Sequence, residues 1–192
     1  FLNTSERIWT VQTSRPGNTT CQYDHVRRIN PRFVLFNRTL MQGRTRYSAR
    51  LRGEFFEDHK NEEYVTALDF RPMFRAKLIF AGENNACGVM KLESMTGGIG
   101  STQAWFAKYP ARASVRKCRF TQVGLRSCVS HIRICMRRLP ITASTTYYEL
   151  QVRNSSLQII LYRRCWTHFC KVARHSRGVY NPQCQHLIRL GI

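Results

Sequence analysis

Short β-prone runs, broken at close intervals by turn residues, fill most of this chain and constrain its fold more than any other feature. IWTVQT (8–13), CQYDHVR (21–27), RFVLFNRTL (32–40), RYSARLRGEFF (46–56), EYVTALDF (63–70), MFRAKLIFAG (73–82), ACGVMKL (86–92) and TYYELQVR (146–153) read as strands. They are rich in branched and aromatic side chains and are separated by Asn, Gly and Pro. The sixth run alternates, with Phe74, Ala76, Leu78 and Phe80 on one side. Many short strands with frequent turns predict an antiparallel sandwich or barrel.

One late segment has the other period. In RRCWTHFCKVARH (163–175), Cys165, Trp166, Phe169, Val172 and Ala173 fall at three- and four-residue spacing, the apolar face of a short amphipathic helix. Gly178 is expected to stop it, and VYNPQCQHLI to run on as an extended tail bearing Cys184. Residues 94–145 fit the scheme worst, with three Cys, many Arg, no acid and no sustained period. They read as a disulfide-tied basic insertion at about 101–145 within a single domain spanning 1–192, or else as translated intron or frame-shifted text.

A length of 192 residues suits one packed domain. No run of eighteen apolar residues occurs, so no membrane span is expected. The chain opens FLNTSERIW without Met and reads as a product whose signal peptide has been removed. Eight Cys are present without the paired CxxC doublets of zinc ribbons, beside sequons at Asn3, Asn18, Asn37 and Asn154. Together they point to a secreted, extracellular glycoprotein from an oxidising compartment.

Charge is lopsided. The net value is +20, and residues 94–192 carry sixteen Lys and Arg against one acid, Glu149. Such a field attracts polyanions. For a secreted chain a glycosaminoglycan or an acidic host protein fits better than nucleic acid, and a solvated basic surface with no specific partner fits at least as well. Arg163, Arg164, Lys171, Arg174 and Arg177 beside Trp166 would form a basic stripe, or simply a solvated helix exterior. His168, Cys170 and His175 lie close together, but on a helix His168 and Cys170 are two apart and point in different directions, so a disulfide partner for Cys170 and surface histidines are expected rather than a metal. G-x-S-x-G, H-E-x-x-H and P-loop motifs are all missing, which predicts a non-enzyme without a cofactor.

IWTVQTS, NTTCQYDHV, GEFF, NNACGVMKL and the terminal block YYELQVRNSSLQ…RRC…HF…VAR…VYNPQCQ, in this order, resemble the salivary lipocalins of ticks, the group that includes the tick histamine-binding proteins. The resemblance runs from Ile8 to about Gly100 and again from Thr146 onward. It implies an all-β fold, a lipocalin-like eight-stranded antiparallel barrel with one C-terminal α-helix packed outside. The barrel would hold a small host mediator, a fatty acid or eicosanoid or a biogenic amine such as histamine, as a monomer. It also implies the disulfides Cys21–Cys184 and Cys87–Cys165; Cys118, Cys128, Cys135 and Cys170 depart from that pattern.

In the amine-binding members that the chain resembles, a Cys-Asp pair precedes a Glu-Leu-aromatic triplet whose acid meets the ligand's ammonium. Here Glu149-Leu150 is kept, but Gly88 follows Cys87 and Gln151 follows Leu150. The candidate ligand-binding set is Glu149, Tyr147, Tyr148 and Trp9. Alternation puts Tyr147, Glu149, Gln151 and Arg153 on one face and Tyr148, Leu150 and Val152 on the other. A greasy cavity would turn Glu149 outward to pair with a neighbouring Arg or Lys; a polar cavity would turn it inward as an amine anchor. With its partner acid missing, the plainer expectation is an outward or ion-paired Glu149. The missing acids and the +20 charge then lean toward an apolar or anionic ligand.

Overall fold

The computed structural model describes residues 1–68, 72–94 and 146–189. All eight expected strands form: β1 (Arg7–Thr13), β2 (Thr19–Ile29), β3 (Phe33–Gln42), β4 (Thr45–Phe55), β5 (Glu62–Ala67), β6 (Pro72–Ala81), β7 (Cys87–Ser94) and β8 (Thr146–Arg153). Each pairs antiparallel with the next, and β1 bonds to both β8 and β2. That double pairing closes an eight-stranded barrel and leaves no open edge within it. A two-residue strand, β9 (Arg177–Gly178), adds outside the closed sheet against Gln12 and Thr13 of β1.

Helix α1 (Ile159–Val172) lies on the outer surface of β7 and β8. It has no side-chain cap at Gln158 and no acid in its first turn, so its own ends contribute little. Its apolar stripe holds it in place. Tyr162, Cys165, Phe169 and the adjoining Ala173 bury against Val89, Leu150 and Val152. A separate apolar cluster fills the barrel, with Val34, Phe36, Leu51, Val65, Phe74 and Leu92 at its centre. Cys21 is joined to Cys184 and Cys87 to Cys165, the pairs that the resemblance implies. Their separations of 163 and 78 residues make each worth roughly 4–5 kcal/mol in the chain-entropy model. The first ties the tail to β2 and the second ties α1 to β7.

Several local expectations are corrected. Phe80 does not share the face of Leu78, because the β6–β7 register shifts between them. Phe80 instead turns outward and stacks on His168 with ring centroids 4.5 Å apart. Helix α1 ends at Val172 rather than near Gly178, where Ala173 takes an extended conformation. The tail after β9 is not wholly extended, because Gln183–Arg189 forms a second short helix, α2. Arg177 leaves the supposed basic stripe: it points inward and donates to the carbonyls of Arg15 and Thr19 at 3.1 and 2.6 Å. Arg164 is paired with Glu83. Cys170 is exposed and unbridged among the described residues. The basic insertion, with Cys118, Cys128 and Cys135, lies outside the described residues.

Phe169 is fully buried between α1 and the sheet. Phe169→Ala should cost about 4 kcal/mol in urea denaturation of the oxidised protein. Phe169→Leu should cost less than half as much, since most of the packed volume remains.

Candidate functional site

Because α1 covers the outer face of β8, Leu150 and Val152 are used there, and Tyr147, Glu149 and Gln151 point into the barrel. The outward half of the expectation for Glu149 is therefore overturned, while its ion-paired half agrees with the 3.9 Å approach of Arg38. The greasy face of this strand serves the helix interface, and the polar face lines the interior. Glu149 is 2% exposed. Its two oxygens accept hydrogen bonds from Gln22 Nε2 at 2.9 Å and Gln151 Nε2 at 3.0 Å. Gln22 Nε2 also donates to Thr10 Oγ1 at 2.9 Å. Strands β1, β2 and β8 thus meet in one polar layer.

Arg38 of β3 completes that layer. Its Nε and Nη2 donate to the two oxygens of Asp24, both at 2.7 Å, a two-point pairing in which a planar guanidinium matches a carboxylate. Nη2 also lies 3.9 Å from Glu149 Oε2. The guanidinium sits 5.1 Å from the centre of the Phe74 ring, so aromatic attraction adds to the ion pair. Burial by itself would lower the Arg38 pKa, but Asp24 and then Glu149 more than offset that and keep the group charged. Burial pushes the Asp24 carboxyl up, with Arg38 pulling it back and Glu149 adding to the rise.

Glu63 of β5 is the third inward carboxylate, 6% exposed. Its Oε2 has no hydrogen-bond partner. Burial first, and the Asp24 charge second, push its carboxyl up to about 7, against the pull of Arg38. Gly53 on the neighbouring strand makes room for it: a Cβ at that position would lie 2.0 Å from Glu63 Oε2. Tyr147, half-buried, has its phenol pushed up to about 12 by burial and by Glu149, and the Arg15 guanidinium sits 5.2 Å from its ring centre.

Two spaces adjoin these groups. One, of about 10 Å³ between Asp24, Arg38, Glu63, Phe74 and Met90, has room for roughly one water. The other, of about 200 Å³, lies where the N-terminal segment meets the β2–β3 and β4–β5 connections and is lined by Leu2, Ile29, Phe55, Glu63, Leu78 and Met90. Leu2, Glu63 and Met90 border both.

Of the four candidate ligand residues, the structure turns only Glu149 and Tyr147 toward the interior. Trp9 is buried beneath the tail, in a cluster with Tyr23, Cys21, Cys184 and Tyr180, and its Nε1 donates to Asn154 Oδ1 at 2.9 Å. Tyr148 packs beside α1 on the outer face. Asn3 and Asn18 are exposed, and Asn37 and Asn154 are half-buried. Among the described residues no cluster suited to a metal ion occurs. Asp24, Arg38, Gln22 and Glu63 were not singled out from sequence. A polar residue at an inward register of an alternating run was the available signal, as in Gln22-x-Asp24-x-Val26 and Glu63-x-Val65-x-Ala67.

The closed barrel with its outer helix is a lipocalin-like fold. No family model matches the chain, and no curated protein matches it in sequence. Among solved structures it is similar to AM182 in a serotonin complex, with a TM-score of 0.54 and 14% identity over 94% of this chain and 85% of that one. It is also similar to Japanin from Rhipicephalus appendiculatus bound to cholesterol, with a TM-score of 0.49 and 9% identity over 94% and 96% of the two chains. The siderocalin Ex-FABP gives a TM-score of 0.49 and 6% identity over 88% and 84%.

A carboxyl whose pKa is raised on folding binds more protons in the native state, so stability falls as pH rises. For Glu63 the loss begins near its ordinary value of 4.5 and levels off above about 7. Between pH 5 and 8 it amounts to roughly 2–3 kcal/mol. Glu63→Gln should remove that part of the slope and gain stability relative to the parent at pH 8, as read by urea denaturation at each pH. An unchanged slope would show that Glu63 is not held in this environment.

Proposed function

We propose that this protein is a carrier that takes a small protonated amine into its barrel and holds it without chemical change. One observation carries the reading: the described interior buries Asp24, Glu63 and Glu149 around Arg38, and Glu63 Oε2 accepts no hydrogen bond. A cation leaving water needs a fixed carboxylate to offset its desolvation, and the hydrogen bond it forms is charge-assisted. A fatty-acid or eicosanoid carboxylate would meet Glu63 and Asp24 as like charges, and the guanidinium that could receive it is already engaged by Asp24. The inward acids thus weigh against the apolar or anionic ligand to which overall charge pointed.

The resemblance to tick salivary lipocalins supports a secreted protein that sequesters a host mediator such as histamine or serotonin to evade host defence. Two disulfides fit that oxidising route. Serotonin in the complex of a protein with a similar fold is in keeping with an amine ligand. Exposed Arg163, Lys171 and Arg174 on and beside α1 support a second reading, in which a glycosaminoglycan binds the outer surface and the barrel is a scaffold.

Protein from a eukaryotic secretion host should be titrated calorimetrically with histamine, serotonin and arachidonate, alongside native mass spectrometry. Saturable amine binding at micromolar or tighter affinity, about −8 kcal/mol or better, is expected, with no heat from arachidonate. A retained fatty acid in the native spectrum, with no heat from either amine, would overturn the reading.

A further inference from the structure

We infer that the ligand's ammonium docks on Glu63, in the cavity at the N-terminal end of the barrel, and that Gly53 is the residue that positions this carboxylate; the inference rests on the amine reading above. The inward acids differ in what they have left to offer. Asp24 has both oxygens engaged by Arg38, and Glu149 has one oxygen on Gln22 and the other on Gln151. Either would have to break a buried bond to receive a ligand, leaving Arg38 or an amide unsatisfied. Glu63 has a free oxygen already shielded from water. Such a group is costly until a donor arrives, so a donor gains affinity by ending that cost.

The space beside Glu63 fits the rest of such a molecule. The cavity of about 200 Å³ presents Phe55, Leu78, Met90 and Ile29 around that carboxylate. That is an apolar wall for an aromatic or aliphatic body. Glu62 also borders the cavity but is paired with Arg75 and with Lys77 Nζ, the latter at 2.6 Å, so it does not compete for the ammonium. The class indicated is a primary amine on a compact apolar or aromatic body.

Gly53 determines where the charge sits. A side chain there would meet Glu63 Oε2 at 2.0 Å and Val34 Cγ1 at 3.0 Å. The carboxylate therefore lies close against the bare backbone of Gly53, and a Cβ there would force the end of the Glu63 side chain to shift from this position. A glycine on β4 and an acid on β5 together form the seat.

The test compares tryptamine with tryptophol, its uncharged alcohol counterpart, by calorimetric titration of the parent, Glu63→Gln, Glu54→Gln, Glu149→Gln and Gly53→Ala proteins. The parent should prefer tryptamine by about a hundredfold. Glu63→Gln should abolish that preference while leaving tryptophol affinity within about twofold, and Gly53→Ala should cut it at least tenfold. Glu54→Gln, which removes an exposed carboxylate of β4 from outside the cavity, should keep it, and Glu149→Gln is compared to show whether the second inward acid contributes. Glu63→Gln removes a buried carboxylate whose Oε2 accepts no hydrogen bond, so folding does not limit its use. A preference retained in Glu63→Gln overturns the Glu63 assignment while the amine reading stands. A parent that binds tryptophol as tightly as tryptamine, or binds neither, overturns the amine reading itself.

Discussion

The packing of α1 on the outside of β7 and β8 decides what the inside of the barrel is made of. A strand has two faces and this helix needs an apolar one, so Val89, Leu150 and Val152 are committed outward beneath Tyr162, Cys165 and Phe169. The other face of β8 must then enter the barrel, and it carries Tyr147, Glu149 and Gln151. The Cys87–Cys165 bond makes the arrangement hard to reverse, since it ties β7 to the middle of the helix. A one-residue slip of β8 would expose the helix seat and invert the interior together.

Once acids are inside, electrostatics sets which are structural and which are available. Arg38 neutralises Asp24 at two points and lies near Glu149, and amide donors from Gln22 and Gln151 complete Glu149. This network spans β1, β2, β3 and β8 and helps fix the register of the closing strands. A buried charge network satisfied in this way specifies geometry more than it adds stability. Glu63, on β5, stands across the barrel from the closing strands and outside that hydrogen-bond network. Its raised pKa and its unpaired oxygen have the same physical origin, a carboxyl enclosed without a donor.

The strands were legible because alternation and turn residues are local properties, and each of the eight runs became a strand. The face of Glu149 was not, because Tyr147-x-Glu149-x-Gln151 and Tyr148-x-Leu150-x-Val152 are equally regular and only a tertiary contact chooses between them. The same limit hid the bulge that turns Phe80 toward His168 and the β1 pairing that draws Arg177 inward. Glu149 read as a lone acid because its companions, Asp24 and Glu63, lie 125 and 86 residues earlier in the chain. Trp9 was also a candidate ligand residue. Here the tail and Cys184 claim it instead.

A chain of net charge +20 and a barrel layer in which Asp24, Glu63 and Glu149 surround the buried Arg38 are not in conflict, because the two act over different distances. Exposed charges are screened within about 8 Å at physiological salt, so the outer field alters how often a charged molecule arrives more than how well it is held. A carboxylate shielded from water acts at contact, where screening is weak and the alternative is an unpaired charge. Composition is dominated by the surface, and here it points to anions. Affinity inside a barrel is governed by the few groups that lack partners, and among the described residues Glu63 Oε2 is one of them.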